Sequence, residues 1–179
     1  MRLVAWGLII AVSVVLDQVS KSIVVERLMP VGNADFLPGF IGFRYVENTG
    51  AAFGMMKGLR WVFISLSTVA VIGIIIYLIV RRKTVHPLTG VALAMIAGGG
   101  IGNQIDRIAN GYVVDFIEFQ FVDFAIFNIA DSFVTVGAAL IIISVLFFDK
   151  NLFGESEKKK KAVPAKGAES PDDGRNQET

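Results

Sequence analysis

Residues 61–80 carry no charged side chain, and Arg81, Arg82 and Lys83 follow at once. A helix rises about 1.5 Å per residue, so a run of this length matches a bilayer's hydrocarbon core of about 30 Å. One membrane-spanning helix is therefore fixed, and the rest of the chain has to be placed around it. The composition agrees. Of 179 residues 54% are hydrophobic and 18% charged, too much apolar surface for a soluble domain of this size to hide. The class is an all-α integral membrane protein. There is no cysteine, which excludes disulfides, thiolate metal sites and a cysteine nucleophile. A single histidine, His86, argues against a multi-histidine zinc site. No internal repeat is visible.

Three further spans complete a four-helix topology. The first covers about 3–25. It has the basic start and apolar core of a signal peptide, but no small-residue cleavage pattern follows, and Asp17, Gln18 and Lys21 fall within the same periodic segment. It reads as a retained helix. The third span, about 88–105, is rich in small residues, and Gly98 and Gly102, four apart, allow another helix to pack closely. The fourth covers about 125–148. Between the first two spans, residues 26–58 form a loop punctuated by Pro30, Gly32, Pro38 and Gly39, with a short strand expected over 41–47 and a small-residue turn over 48–54. A second loop covers 106–124. Residues 1–153 thus form the membrane domain, and 154–179, with a lysine run and many polar residues, read as a disordered tail able to meet anionic lipid.

Arg2, the 81–83 cluster, Lys150 and the lysine run all fall on one side of this topology. The positive-inside rule puts both termini in the cytoplasm and both longer loops outside. Helical rise then gives depth. Measured from the inner face, Asp17 lies roughly 22 Å across, Lys21 roughly 28 Å, Asp106 roughly 27 Å and Asp131 roughly 25 Å. Three helices deliver polar groups to one level near the outer edge of the membrane. Ionisable groups there are costly and imply partners or a task.

Asp115 and Asp131 are the candidate chemical pair. Brought close, two carboxyls share a proton; one then serves as general base toward water while the other donates to a scissile carbonyl. The alternative is that Asp131 caps the fourth helix and Asp115 sits in a solvated loop. Asn103 and Arg107 share a face of the third helix, as Asn128 and Asp131 do on the fourth. Arg107 suits a carboxylate or a substrate main chain. Asp17 and Lys21 either form a self-neutralising ion pair or hold a site together. Ser13 or Ser20 with Lys21 raises a serine–lysine alternative, disfavoured because Ser20 points away from Lys21 and Ser13 is two turns off. Glycines inside a span do not make a nucleotide loop. A proton-conducting channel would use Asp17, Lys21 and Asp131 as relay groups but calls for polar residues through the whole thickness. A packing partner explains the glycines but not the carboxylates.

Five segments taken in order resemble the bacterial lipoprotein signal peptidases (signal peptidase II). They are Asp17-Gln18-Val19-Ser20-Lys21, Asn48-Thr49-Gly50-Ala51-Ala52-Phe53, Gly102-Asn103-Gln104-Ile105-Asp106-Arg107, Val113-Val114-Asp115-Phe116 and Phe127-Asn128-Ile129-Ala130-Asp131. The resemblance covers about residues 1–150. It implies an intramembrane aspartic endopeptidase of the bacterial cytoplasmic membrane that removes the signal peptide from diacylglyceryl-modified prolipoproteins, on the N-terminal side of the lipidated cysteine. Asp115 and Asp131 would be catalytic. Asn103 and Asn128 would orient them, Arg107 would bind substrate main chain, Asp17 and Lys21 would support the site, and Asn48 would lie over it in a small extracellular β-cradle in the first outer loop. Residues 116–127 would be a mobile flap. The expected partners are prolipoprotein substrates and membrane lipids, with inhibition by globomycin-type cyclic peptides, no nucleic acid, no metal or organic cofactor, and a monomeric state.

Overall fold

A computed structural model describes residues 1–50 and 60–148. Residues 51–54 of the expected turn and the tail from 154 lie outside the described residues. Four helices carry the chain: α1 (Arg2–Arg27), α2 (Arg60–Val80), α3 (Pro87–Ala109) and α4 (Ile129–Phe147). Each is long and apolar enough to cross a membrane. Three strands lie between them: β1 (Asn33–Leu37), β2 (Ile41–Asn48) and β3 (Val113–Phe119).

The helix α3 is the centre. It packs on α1, α2 and α4. Half of its apolar window is buried inside the protein, against 17% for each other helix, so those three present most of their apolar surface outward. The sequence of α3 explains this. A Cβ on Gly98 would sit 2.6 Å from Ser13 Cβ of α1, one on Gly99 would strike the Ala130 carbonyl of α4, and one on Gly100 would press on Val71 of α2. Successive residues turn by about 100°, so three adjacent glycines serve three different neighbours. Gly102 lies against Asp17, so the pair four apart, Gly98 and Gly102, does admit one helix, α1.

At one end, Arg2 Nη1 donates to the Val85 carbonyl (3.2 Å), joining the start of α1 to the α2–α3 turn. His86 caps α3 there, its Nδ1 accepting from Leu88 N (3.3 Å), and its ring stacks on Phe148. At the other end sits the sheet, antiparallel with β2 in the middle. Pro38 and Gly39 turn the β1–β2 hairpin, with Gly39 at φ 79°, a conformation that glycine adopts without strain.

Four expectations change. The sheet is not confined to the first loop: its third strand comes from the second, because alternating residues of β3 bury Val114 and Phe116 against Val24 and Leu28 of α1. For the same reason residues 116–119 are paired strand rather than part of a separate flap, and Phe127 returns to Ile117 through main-chain bonds. The fourth helix starts at Ile129 rather than 125, since Asn128 is extended (φ −131°) and caps it. The third helix runs on past 105 to Ala109 because Asp106 and Arg107 face inward rather than into a loop.

Candidate active site

The end of the bundle under the sheet is where the polar residues meet. Asp115 lies mid-strand in β3, 2% exposed, and Asp131 lies in the first turn of α4. Both line a cavity of about 490 Å³, together with Asn48, Asn103 and Arg107. The remaining wall is largely apolar and aromatic, with Phe119, Phe124 and Phe127 among its residues.

Three asparagines hold the two carboxyls. Asn48 Nδ2 donates to Asp115 Oδ2 (2.8 Å) and Asn128 Nδ2 to Asp115 Oδ1 (2.7 Å). Asn103 Nδ2 donates to Asp131 Oδ1 (2.7 Å). The Asn128 main-chain N–H donates to Asp131 Oδ2 (3.2 Å), while the Asn128 side chain accepts from Asp131 N (3.0 Å). That reciprocal pair is a capping box. The two sequence readings of Asp131 are thus one geometry: the carboxyl caps α4 and faces the cavity. Asn128, fully buried, touches both acids.

Burial pushes the Asp115 carboxyl up to about 6 from an ordinary 3.8. The hydrogen bond from Asn48 opposes this, and the nearby Asp131 charge adds to it. A carboxyl in that position keeps a proton at a pH where an ordinary aspartate has lost it.

Behind the cavity lies an ion cluster. The Lys21 ammonium has three hydrogens and three acceptors, each at 2.9 Å: Asp17 Oδ2, Asp106 Oδ2 and Asn103 Oδ1. Asp17 Oδ1 accepts from Ala130 N (3.0 Å), satisfying a free N–H of the first turn of α4 from α1. Asp106 Oδ2 accepts from Val114 N (3.1 Å), fixing the strand just before Asp115. Gln18 Nε2 reaches Asp17, the Gly102 carbonyl and Asp106 at 3.1 to 3.2 Å. The sequence assigns Gln18 no site role, and places Asp106 at the depth of the site and in one of the five family segments without a role of its own. The signal for Gln18 is its place beside Asp17, within one turn of Lys21, in a helix whose preceding turns are mainly apolar.

The serine–lysine alternative finds no geometry. Ser13 Oγ donates to the Ile9 carbonyl and Ser20 Oγ to that of Asp17, and all three Lys21 hydrogens have other acceptors. Arg107 differs from Lys21. Its guanidinium sits over the Phe63 ring of α2, 5.4 Å from the centroid, and makes no hydrogen bond or ion pair among the described residues. It borders the cavity with its donors uncommitted. No group of three or more histidine, cysteine, aspartate or glutamate side chains among the described residues is placed to hold a metal ion.

Comparison with known proteins agrees with the segments read from the sequence. Residues 9–147 match the family model described as signal peptidase (SPase) II. The chain is 45% identical over 141 residues to the lipoprotein signal peptidase of Symbiobacterium thermophilum, covering 78% of this chain and 92% of that protein. It is 42% identical over 142 residues to the lipoprotein signal peptidase of Streptococcus pyogenes serotype M6, covering 79% and 91%. A bacterial membrane enzyme solved by the in meso method at 2.3 Å resolution superposes with a TM-score of 0.73 at 35% identity, over 84% of this chain and 92% of that one. A second, at 1.9 Å, gives 0.71 at 35% identity, over 80% and 94%. With a family model matched across most of its length and relatives of this identity matched nearly end to end, the chain is a multi-pass membrane protein that belongs to the signal peptidase II family.

Proposed function

We propose that this protein is an intramembrane aspartic endopeptidase that removes the signal peptide from diacylglyceryl-modified prolipoproteins, cutting N-terminal to the lipidated cysteine. The observation that carries this is the pairing of two carboxyls in one cavity, each held by asparagine side chains, with Asp115 buried so that its carboxyl favours the protonated form. Asp131 is the carboxylate that takes a proton from water, and Asp115, holding its proton, donates to the scissile carbonyl. As the carbonyl becomes tetrahedral, the asparagines keep both acids aimed without moving. As the C–N bond breaks, the expelled amine takes the proton Asp131 received from water, and a hydroxyl of the tetrahedral carbon returns its proton to Asp115, which restores the pair. Asn48, Asn103 and Asn128 orient the acids, Arg107 binds substrate main chain, and Asp17 and Lys21 support the floor.

In this reading both termini are cytoplasmic and the cavity faces the outer side of the bacterial cytoplasmic membrane, with residues 1–153 as the working domain and 154–179 as a polar tail. The sheet then lies at the outer surface. The partners are prolipoproteins and membrane lipid. Globomycin-type cyclic peptides inhibit by occupying the carboxyl pair, and the monomer is the working unit, with no metal or organic cofactor. The test is cleavage of a purified diacylglyceryl prolipoprotein by the wild type and by Asp115→Asn and Asp131→Asn. Both variants are expected to fold and not to cleave; normal turnover by either removes the aspartic mechanism.

A further inference from the structure

Nearly all serine and threonine hydroxyls of the described helices are hydrogen-bonded within the protein. Ser13, Ser20, Ser22, Ser67, Thr68 and Ser132 each donate to a main-chain carbonyl of their own helix. Thr89 and Ser144 bond each other, 2.7 Å apart and fully buried. This is the usual fate of a hydroxyl in an apolar helix. Thr135 of α4 is different. It makes no hydrogen bond among the described residues, yet it lines the cavity of Asp115 and Asp131. Ser65 is also unbonded, but it does not border that cavity. Thr135 is one turn from Asp131 on the same face of α4, about 6 Å further along the helix axis and away from the sheet.

A substrate that spans the membrane as a helix cannot be cut as one. The segment at the cleaved bond has to unwind, and unwinding frees main-chain N–H and C=O groups at a depth where little water is present to satisfy them. The enzyme has to supply partners. Most polar groups of the cavity are already committed: Asn48 and Asn103 to the acids and Ser132 to the Asn128 carbonyl. Arg107 and Thr135 are uncommitted. Arg107 carries only donors. Thr135 can also accept, so it alone of the two can serve a substrate N–H.

We infer that Thr135 is a substrate-binding residue whose hydroxyl accepts from a main-chain N–H of the unwound signal-peptide segment. This rests on the peptidase reading above. An extended chain advances about 3.3 Å per residue, so a group about 6 Å from Asp131 faces roughly the second residue on the signal-peptide side of the cleaved bond. The side is set by direction: α4 runs from the carboxyl pair into the bilayer, and the signal peptide does the same.

The test uses the full-length enzyme and a diacylglyceryl prolipoprotein peptide, made both as the amide and with a backbone ester replacing the N–H of that second residue. Thr135→Val keeps the shape and removes the hydroxyl. It is expected to raise KM about five- to tenfold, the size of one hydrogen bond, with kcat little changed. Thr135→Ser is expected to restore most of the lost affinity. The ester peptide is expected to show the same rise in KM with the wild type and no further rise with Thr135→Val. A wild-type KM for Thr135→Val, or ester and valine effects that multiply independently, overturns the assignment. Asp115→Asn run alongside separates the two claims. If it is inert while Thr135→Val is normal, only the role of Thr135 fails; if it cleaves, the peptidase mechanism fails.

Discussion

The two ends of the Asn103 side chain face two kinds of environment. Its oxygen accepts from Lys21 and Asn128, and its nitrogen donates to Asp131. On the Lys21 side every hydrogen of the ammonium has an acceptor, and Asp17 and Asp106 each accept several bonds from the chain itself. On the cavity side Arg107 and Thr135 are uncommitted, and the two acids keep lone pairs for a water or a carbonyl. A saturated cluster is poor at chemistry, since nothing can bind without displacing a partner. It is good at holding three elements together. Lys21 and Asp17 join α1 to α3 and α4, and Asp106 reaches β3. The cavity side is the reverse: unsaturated, and therefore able to accept a substrate.

Substitutions on the two sides are therefore expected to fail differently. On the cavity side, Asp115→Asn and Asp131→Asn should lower turnover about a thousandfold or more while leaving the detergent-solubilised protein folded, read by cleavage and by thermal unfolding of the same samples. On the saturated side, Lys21→Met leaves two carboxylates buried without their cation. The expected cost is about 3–5 kcal/mol, seen as a large fall in Tm or as loss of folded protein. A Lys21→Met enzyme of normal Tm that merely turns over slowly would break the comparison. Gly102→Ala tests the same side more gently. Its new methyl carbon would lie 2.5 Å from Asp17 Oδ2, so α1 has to shift, at a cost of about 1–3 kcal/mol.

The smallest effects sharpen the electrostatics. Asp131→Asn removes a negative charge beside Asp115, so ionising Asp115 becomes easier and its midpoint should fall below about 6. Asn48→Ala removes a donor that favours the charged form, so the midpoint should rise. Carbon-13 NMR of labelled aspartate carboxyls across pH reads both. A raised carboxyl pKa also carries a sign for stability. The folded state binds the extra proton between about 3.8 and 6, so this contribution favours folding at low pH and is lost as pH rises through 6. The Tm of the wild type relative to Asp115→Asn should therefore decline over that window, by an amount corresponding to roughly 3 kcal/mol at most.

Much of the site could be reached from the chain because helical rise is fixed. Asp17, Lys21, Asp106 and Asp131 came to one depth by counting residues, and the structure joins the first three through the Lys21 ammonium and ties Asp131 to it through Asn103. The pairing of Asp115 with Asp131 could not be counted, since Asp115 lies on a strand and its position depends on register with β2. Strand β3 itself escapes because residues 113–116 are buried at both faces, with 117–119 half-buried, so the strand shows no clean alternation toward water. Gln18 escapes because a polar residue beside Asp17 on a helix carries no sign of its target, which lies 84 positions away at Gly102.

The run Gly98, Gly99 and Gly100 has a consequence beyond close packing. At that level α3 has no side chain to offer, so the middle of the protein is bare backbone used as an axle. Any volume there has to come from Ser13, Val134 and Val71 on the surrounding helices. Each position then works as an independent adjuster. A methyl group added at Gly98 moves α1, at Gly99 moves α4, and at Gly100 presses on α2. Three neighbouring positions in the chain thus give separate mechanical access to the helix carrying the ion cluster, the helix carrying Asp131, and the helix carrying the aromatic ring under Arg107.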